Sequence, residues 1–234
     1  MDALVRLPPP EVYEQEYRHW PWGRLMEIVA GMVAKNAPKA GRVVDYMCGT
    51  GYLLHEISKQ RADLSLEGCS LNEDHVAYGR KQYSGIRLWA GDAMKFAPSQ
   101  CPDIVLCTAG IHHLPRADQP AFIQKVAAEL LRGGTFIVGE EVISPYTDEN
   151  TRLKSVVELG GAILKEVMNS HAPPIMLTEV LEVMKNDIEE REFKLDLGTL
   201  ESLIQPVFTL KHKEFVWPTK FKTYGDVIFV CERN

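Results

Sequence analysis

The chain has 234 residues, which at about 150 residues per domain makes one large domain with an elaborated cap and leaves little room for two. Hydrophobic residues make up 45% and charged residues 25%, so a sizeable core is expected and a disordered chain is excluded. With 26 Lys and Arg against 32 Asp and Glu the net charge is -6, which leaves no global positive field to draw nucleic acid or anionic lipid.

The first residues, MDALVRLPPPEVYE, lack the basic start and long apolar run of a secretory signal, so a cytoplasmic protein is expected. Pro8-Pro9-Pro10 is a stiff lead-in, and Glu11 to Asn36 predicts one or two helices. Arg42 to Met47 reads as a buried first strand after Gly41. A helix from Tyr52 to about Arg61, a strand from Leu64 to Ser70, a helix from Asn72 to Tyr83 and a strand from Ile86 to Ala90 follow. Asp103 to Thr108 predicts a strand, Gln119 to Leu131 a helix stopped by Gly133-Gly134, and Thr135 to Glu141 another strand. This alternation implies a parallel sheet covered by helices on both faces.

Asn150 to Ser170 and Thr178 to Glu192 then predict two helices with no strand between them. A short helix near Thr199 to Ile204 precedes two β-rich stretches, Phe208 to Trp217 and Asp226 to Cys231, close enough to pair antiparallel. No apolar stretch approaches the roughly 20 residues of a membrane span; Val227 to Cys231 is among the longest. Cys48, Cys69, Cys101, Cys107 and Cys231 form an odd set without a CxxC pair, so free thiols are expected and no metal site is read.

Asp45-Tyr-Met-Cys-Gly-Thr-Gly51 joins a strand directly to a helix and sets a glycine turn at the carboxyl edge of a parallel sheet, where ligands bind. Gly49 and Gly51 admit close approach of a ligand, and the acidic Asp45 suits a cationic amino group better than a phosphate. Val43-Val-Asp-Tyr-Met-Cys-Gly-Thr-Gly51 resembles the first motif of the class I S-adenosylmethionine-dependent methyltransferases. Leu66 to Asn72, Ala90 to Met94, Pro102 to Ala109 and Leu130 to Phe136 resemble the four later motifs in the same order, over about residues 42 to 141.

That resemblance implies a doubly wound, Rossmann-like α/β fold with a mostly parallel seven-stranded sheet and an antiparallel last strand. It further implies N-terminal helices as a lid over 1–40, a cofactor-binding core over 41–143, a helical cap between the fifth and sixth strands over 144–197, and a C-terminal helix and hairpin over 198–234. The cofactor would be S-adenosylmethionine. Asp45 and the Cys48, Gly49 and Gly51 backbone would hold its methionine portion, Ser70 and Leu71 would meet the ribose, Asp92 with Ala93 would border the adenine, and Thr108 and Ala109 would line the space beneath the methyl group. Two departures stand out: Met47 replaces a usual glycine, and Ser70 stands where the family's ribose-binding acid aligns, Glu67 lying three residues earlier. Asp92 also reads as a helix N-cap.

His112 and His113 follow the fourth strand and are candidate general bases, with a structural role as the alternative. Glu140 and Glu141 end the fifth strand, and strand alternation predicts that only one, Glu140, points inward as a third catalytic candidate or as a cap. Arg18 to Gly23 with Tyr13 and Tyr17, four residues apart on one helical face, predicts either an aromatic lid over the cofactor or packing core. Met168, His171, Met176 and Met184 of the cap read as core before cofactor contacts. The run Lys185 to Lys194 reads as a solvated helix end, and Lys211 to Lys213 with Lys220 to Lys222 is too small a basic cluster for nucleic acid.

The expected activity is methyl transfer to an oxygen, nitrogen or carbon nucleophile of a small molecule, with a peptide as another acceptor, and without nucleic acid or membrane partners. A cofactor-binding regulator of the same fold that no longer catalyses is the alternative. A nicotinamide-dependent oxidoreductase is disfavoured because the full G-x-G-x-x-G spacing is missing.

Overall fold

The computed structural model describes residues 7–189, 191–220 and 223–234. Two helices, α1 (Pro10–His19) and α2 (Trp22–Asn36), precede the alternating core of β1 (Arg42–Tyr46), α3 (Tyr52–Gln60), β2 (Ser65–Ser70), α4 (Glu73–Gln82), β3 (Ile86–Ala90), β4 (Ile104–Thr108), α5 (Gln119–Glu129) and β5 (Thr135–Val142). The chain continues through α6 (Glu149–Asn169), α7 (Pro174–Ile188), α8 (Leu197–Ile204), β6 (Phe208–Trp217) and β7 (Gly225–Arg233). Strand order is β3-β2-β1-β4-β5-β7-β6, with β7 antiparallel to both of its neighbours and the other pairs parallel. This is the doubly wound mixed sheet expected, and its order reverses between β1 and β4, where α/β sheets open a crevice.

Burial follows the pleat. Val43 faces a core shared with α2, α3, α6 and α7, whereas Val44 and Tyr46 face a second core shared with α5 and α8. Asp45 therefore lies on the α1–α4 side of the sheet. On β5, Ile137 lies in the first core and Phe136 and Val138 in the second, so Glu140 and Glu141 go to opposite faces. Both are buried, at 2% and 7% exposure, so the expectation that one of them points outward is corrected: each face is covered by helices.

The cap differs from its expected form. Helix α7 begins at Pro174, after the Pro173 cap, and ends at Ile188, so residues 191–196 form an irregular return rather than a helix. That segment is no solvated helix end: Asp187, Glu192 and Lys194 are buried, because Lys194 Nζ sits 2.9 Å from Glu141 Oε2 and 3.9 Å from Asp187 and Glu192. Glu190 of that run, and Phe221 and Lys222 of the basic cluster, lie outside the described residues. Cys48, Cys69, Cys107 and Cys231 are buried free thiols, and Cys101 is an exposed one. Among the described residues no helix is long and apolar enough to cross a membrane.

Candidate active site

After β1 the backbone takes left-handed turns at Met47 (φ 60°), Gly49 (φ 55°) and Gly51 (φ 82°), and Gly51 caps α3. Met47 thus keeps the conformation a glycine adopts freely, at about 1 kcal/mol of backbone strain, and its side chain packs against Gly110 and the α5 core. A Cβ at Gly49 would come within 2.7 Å of the Tyr13 ring, and one at Gly51 within 2.9 Å of Leu88, so both positions have room only for glycine.

Asp45, 1% exposed, ends beneath this loop with neither carboxylate oxygen meeting a donor among the described residues. Burial pushes its carboxyl up to about 8. An orphaned acid at the carboxyl edge of the central strand fits a ligand ammonium, and the α-amino group of S-adenosylmethionine has that chemistry. Ser70 and Ala93 lie buried at the ends of β2 and β3, Leu71 is 52% exposed, and Glu67 points away into Trp89 and Ser99. Asp92 acts as a turn cap, its Oδ1 accepting from Met94 N at 2.8 Å.

Helix α1 lies across the loop. Tyr13 and Tyr17 meet edge to face at 5.7 Å, Tyr17 stacks on Tyr52 at 4.3 Å, and burial raises both phenols. Glu14 fastens the helix by accepting from Thr50 Oγ1 (2.8 Å), Tyr78 OH (3.4 Å) and Tyr83 OH (2.5 Å). Glu14→Ala is expected to speed hydrogen exchange of the α1 amides about tenfold or more, since each such bond to a charged group contributes roughly 1.5 kcal/mol. Unchanged exchange would show that the aromatic stack alone holds the helix.

At the end of β4, Thr108 is buried and Ala109 takes a left-handed φ of 48°, turning the chain into a short 3₁₀ turn over Ile111–His113. Glu140 organises that turn: Oε1 accepts from Gly110 N (2.9 Å) and Ile111 N (2.6 Å), and Oε2 lies 2.7 Å from His112 Nδ1. Burial lifts the Glu140 carboxyl to about 7 against those donors, while burial, then Lys194 and His113, hold His112 well below the usual histidine range. The consistent proton placement is Nδ1–H on a neutral His112, assigned from this network, leaving the Nε2 lone pair bare.

His112 lines a pocket with Ala109, Trp20, Trp22 and Glu141, roofed by α1 and α7. Glu140 thus reaches this pocket only through His112, a positioning role rather than contact with an acceptor. His112 Nε2 lies 3.9 Å from Glu192 Oε2 and His113 Nδ1 3.8 Å from Glu192 Oε1; ligand atoms of the three lie within 4.8 Å of one another, close enough to hold a metal ion. Sequence reasoning missed Glu16, Glu192 and Lys194 as site residues. Their only signal was charge in segments otherwise read as helix surface.

Residues 43–134 match the family model described as a methyltransferase domain. Among curated proteins the chain is 27% identical over 133 residues to a carboxy-S-adenosyl-L-methionine synthase of Campylobacter fetus, covering 55% of this chain and 56% of that protein. It is also 27% identical over 144 residues to a dTDP-3-amino-3,6-dideoxy-alpha-D-glucopyranose N,N-dimethyltransferase of Streptomyces fradiae, covering 61% of this chain and 56% of that one. The aligned region is thus a little over half the length of each of these relatives. In fold it resembles a Pyrococcus horikoshii protein (TM-score 0.64, 19% identity, 98% of both chains covered) and a TehB-like methyltransferase of Corynebacterium glutamicum (TM-score 0.60, 14% identity, 96% of this chain and 98% of that one). Residues 43–134 thus match a methyltransferase domain, and the motif order and sheet order of the chain are similar to those of the class I S-adenosylmethionine-dependent methyltransferases.

Proposed function

We propose that this protein transfers a methyl group from S-adenosylmethionine to an oxygen, nitrogen or carbon nucleophile of a small molecule. The observation that carries the reading is Asp45, a buried carboxylate without a donor beneath a glycine loop, beside a pocket that ends on a bare imidazole nitrogen. When bound, the cofactor supplies a methyl group already activated by its sulfonium. The protein's work is then alignment, exclusion of water and proton removal.

Asp45 would hold the α-ammonium, with the Cys48, Gly49 and Gly51 backbone around the methionine portion. Ser70 and Leu71 would meet the ribose, Asp92 and Ala93 the adenine, and Tyr17 and Tyr13 would close the lid. His112, oriented by Glu140, would take the acceptor's proton at Nε2, with His113 at the half-exposed mouth. This dyad at the acceptor pocket favours an enzyme over a regulator that only binds cofactor, because a regulator has no use for an oriented base. The four buried unpaired thiols support a cytoplasmic setting.

Calorimetric titration with S-adenosylmethionine and S-adenosylhomocysteine, using nicotinamide dinucleotides as controls, tests the cofactor; an acceptor screen by mass shift tests the transfer. Saturable binding of the first two alone is expected. Binding of the dinucleotides instead would overturn the reading.

A further inference from the structure

Taking the proposed methyl transfer as its basis, we propose that the acceptor is an amine, held as its ammonium form in a carboxylate and aromatic cage between α1, α7 and the ends of β4 and β5. Oxygen acceptors react as phenolates, carboxylates or developing alkoxides, and carbon acceptors as enolates, all of them anionic at the reacting atom. Electrostatics therefore separates the acceptor classes.

The wall is acidic. Glu16, Glu141 and Glu192 converge on it, and among the described residues lining it the lysine is Lys194, which already sits 2.9 Å from Glu141 and 3.9 Å from Glu192 and Asp187. An anionic nucleophile placed here would face several carboxylates with one engaged ammonium to offset them. A cationic guest relieves the same repulsion.

Three independent details point to a cation. The Glu16 carboxyl is 4% exposed and lines the pocket; it is held well above the ordinary range, first by burial and then by Glu179, Glu141 and Glu192. Nε2 of His112 and Oε2 of Glu192 are two acceptors facing each other at 3.9 Å, an arrangement that a donor between them would satisfy on both sides. Trp20, Trp22 and Tyr13 supply aromatic walls to the same pocket, and an ammonium is attracted to the negative face of such rings.

The chemistry balances. One proton passes from the bound ammonium to Nε2 of His112 and on to water. The freed nitrogen lone pair then forms the new N–C bond as the methyl group's bond to sulfur breaks, its electron pair remaining on sulfur. The product is a methylated ammonium, still suited to the cage until it leaves.

The test uses the full chain saturated with S-adenosylhomocysteine, titrated by calorimetry with cyclohexylamine and benzylamine, the matched alcohols and the matched carboxylic acids. The amines are expected to bind at least about tenfold tighter than alcohols or acids of the same shape. Glu16→Gln and Glu192→Gln are each expected to weaken amine binding about tenfold while leaving S-adenosylhomocysteine affinity unchanged, with Glu192→Asp retaining most of the amine affinity. With S-adenosylmethionine, mass spectrometry should show methylation of the amines alone. Equal binding of the alcohols, preference for the acids, no amine binding, amine affinity indifferent to both Gln variants, or a zinc ion on His112, His113 and Glu192 that excludes the amines would each overturn the proposal. Failure of S-adenosylhomocysteine itself to bind would instead remove the methyl-transfer reading on which it rests.

Discussion

Asp45→Asn is expected to make the cofactor-free protein more heat-resistant at pH 8 while weakening S-adenosylmethionine binding by about tenfold or more, the scale of one lost charged contact. The folded carboxyl titrates near 8 and an unfolded aspartate near about 3.9. Between those values the native chain holds a proton that the unfolded chain releases, so wild-type stability declines as pH rises through the window, by up to about 1.4 kcal/mol per pH unit. Below pH 4 the stability is fully retained, and above pH 8 the loss is complete. Asparagine keeps the shape without the charge and removes that slope. Melting temperatures of both proteins from pH 4 to 8.5 check this: the curves should meet near pH 4 and diverge upward. Parallel curves would show that Asp45 carries no buried unpaired charge.

Glu140→Gln is expected to lower turnover by about a hundredfold at unchanged cofactor affinity, the loss typical of removing a positioned base. Its amide oxygen still accepts from Gly110 and Ile111, so the 3₁₀ turn survives. Its NH₂ group, facing Nδ1, moves the imidazole proton to Nε2, the atom that serves as base. Glu140→Ala differs: it strands two buried N–H groups and the imidazole, and should cost about 3 kcal/mol or more in urea unfolding. Single-turnover mass-shift rates on the Gln variant separate the roles, because normal rates would leave Glu140 and His112 as scaffold only.

Much of this architecture is legible in local pattern. β1 and β4 are apolar runs buried on both faces of the sheet, and the Asp45 to Gly51 turn between strand and helix announces its own backbone demands. The placement of β7 between β5 and β6 lay beyond that pattern, since two neighbouring β-rich stretches establish pairing but not order in a sheet. What stayed hidden was the acceptor side. Glu192 and Lys194 sit in a run of charges that any local reading exposes to water, and only the return of residues 191–196 against β5, with Phe193 N donating to His112 O, buries them. Glu16 lies one residue from Tyr17 on an ordinary amphipathic helix, and its burial depends on α7 closing over it.

Within one turn and a half, helix α1 presents Tyr13 to the glycine loop, Glu14 to Thr50 of that loop and to the end of α4, and Glu16 to the pocket beside His112. The glycine loop and that pocket therefore share one wall. A ligand that orders α1 from the glycine side prepays the ordering needed on the other, and thermodynamic linkage makes the benefit mutual: each ligand raises the other's affinity by the same factor.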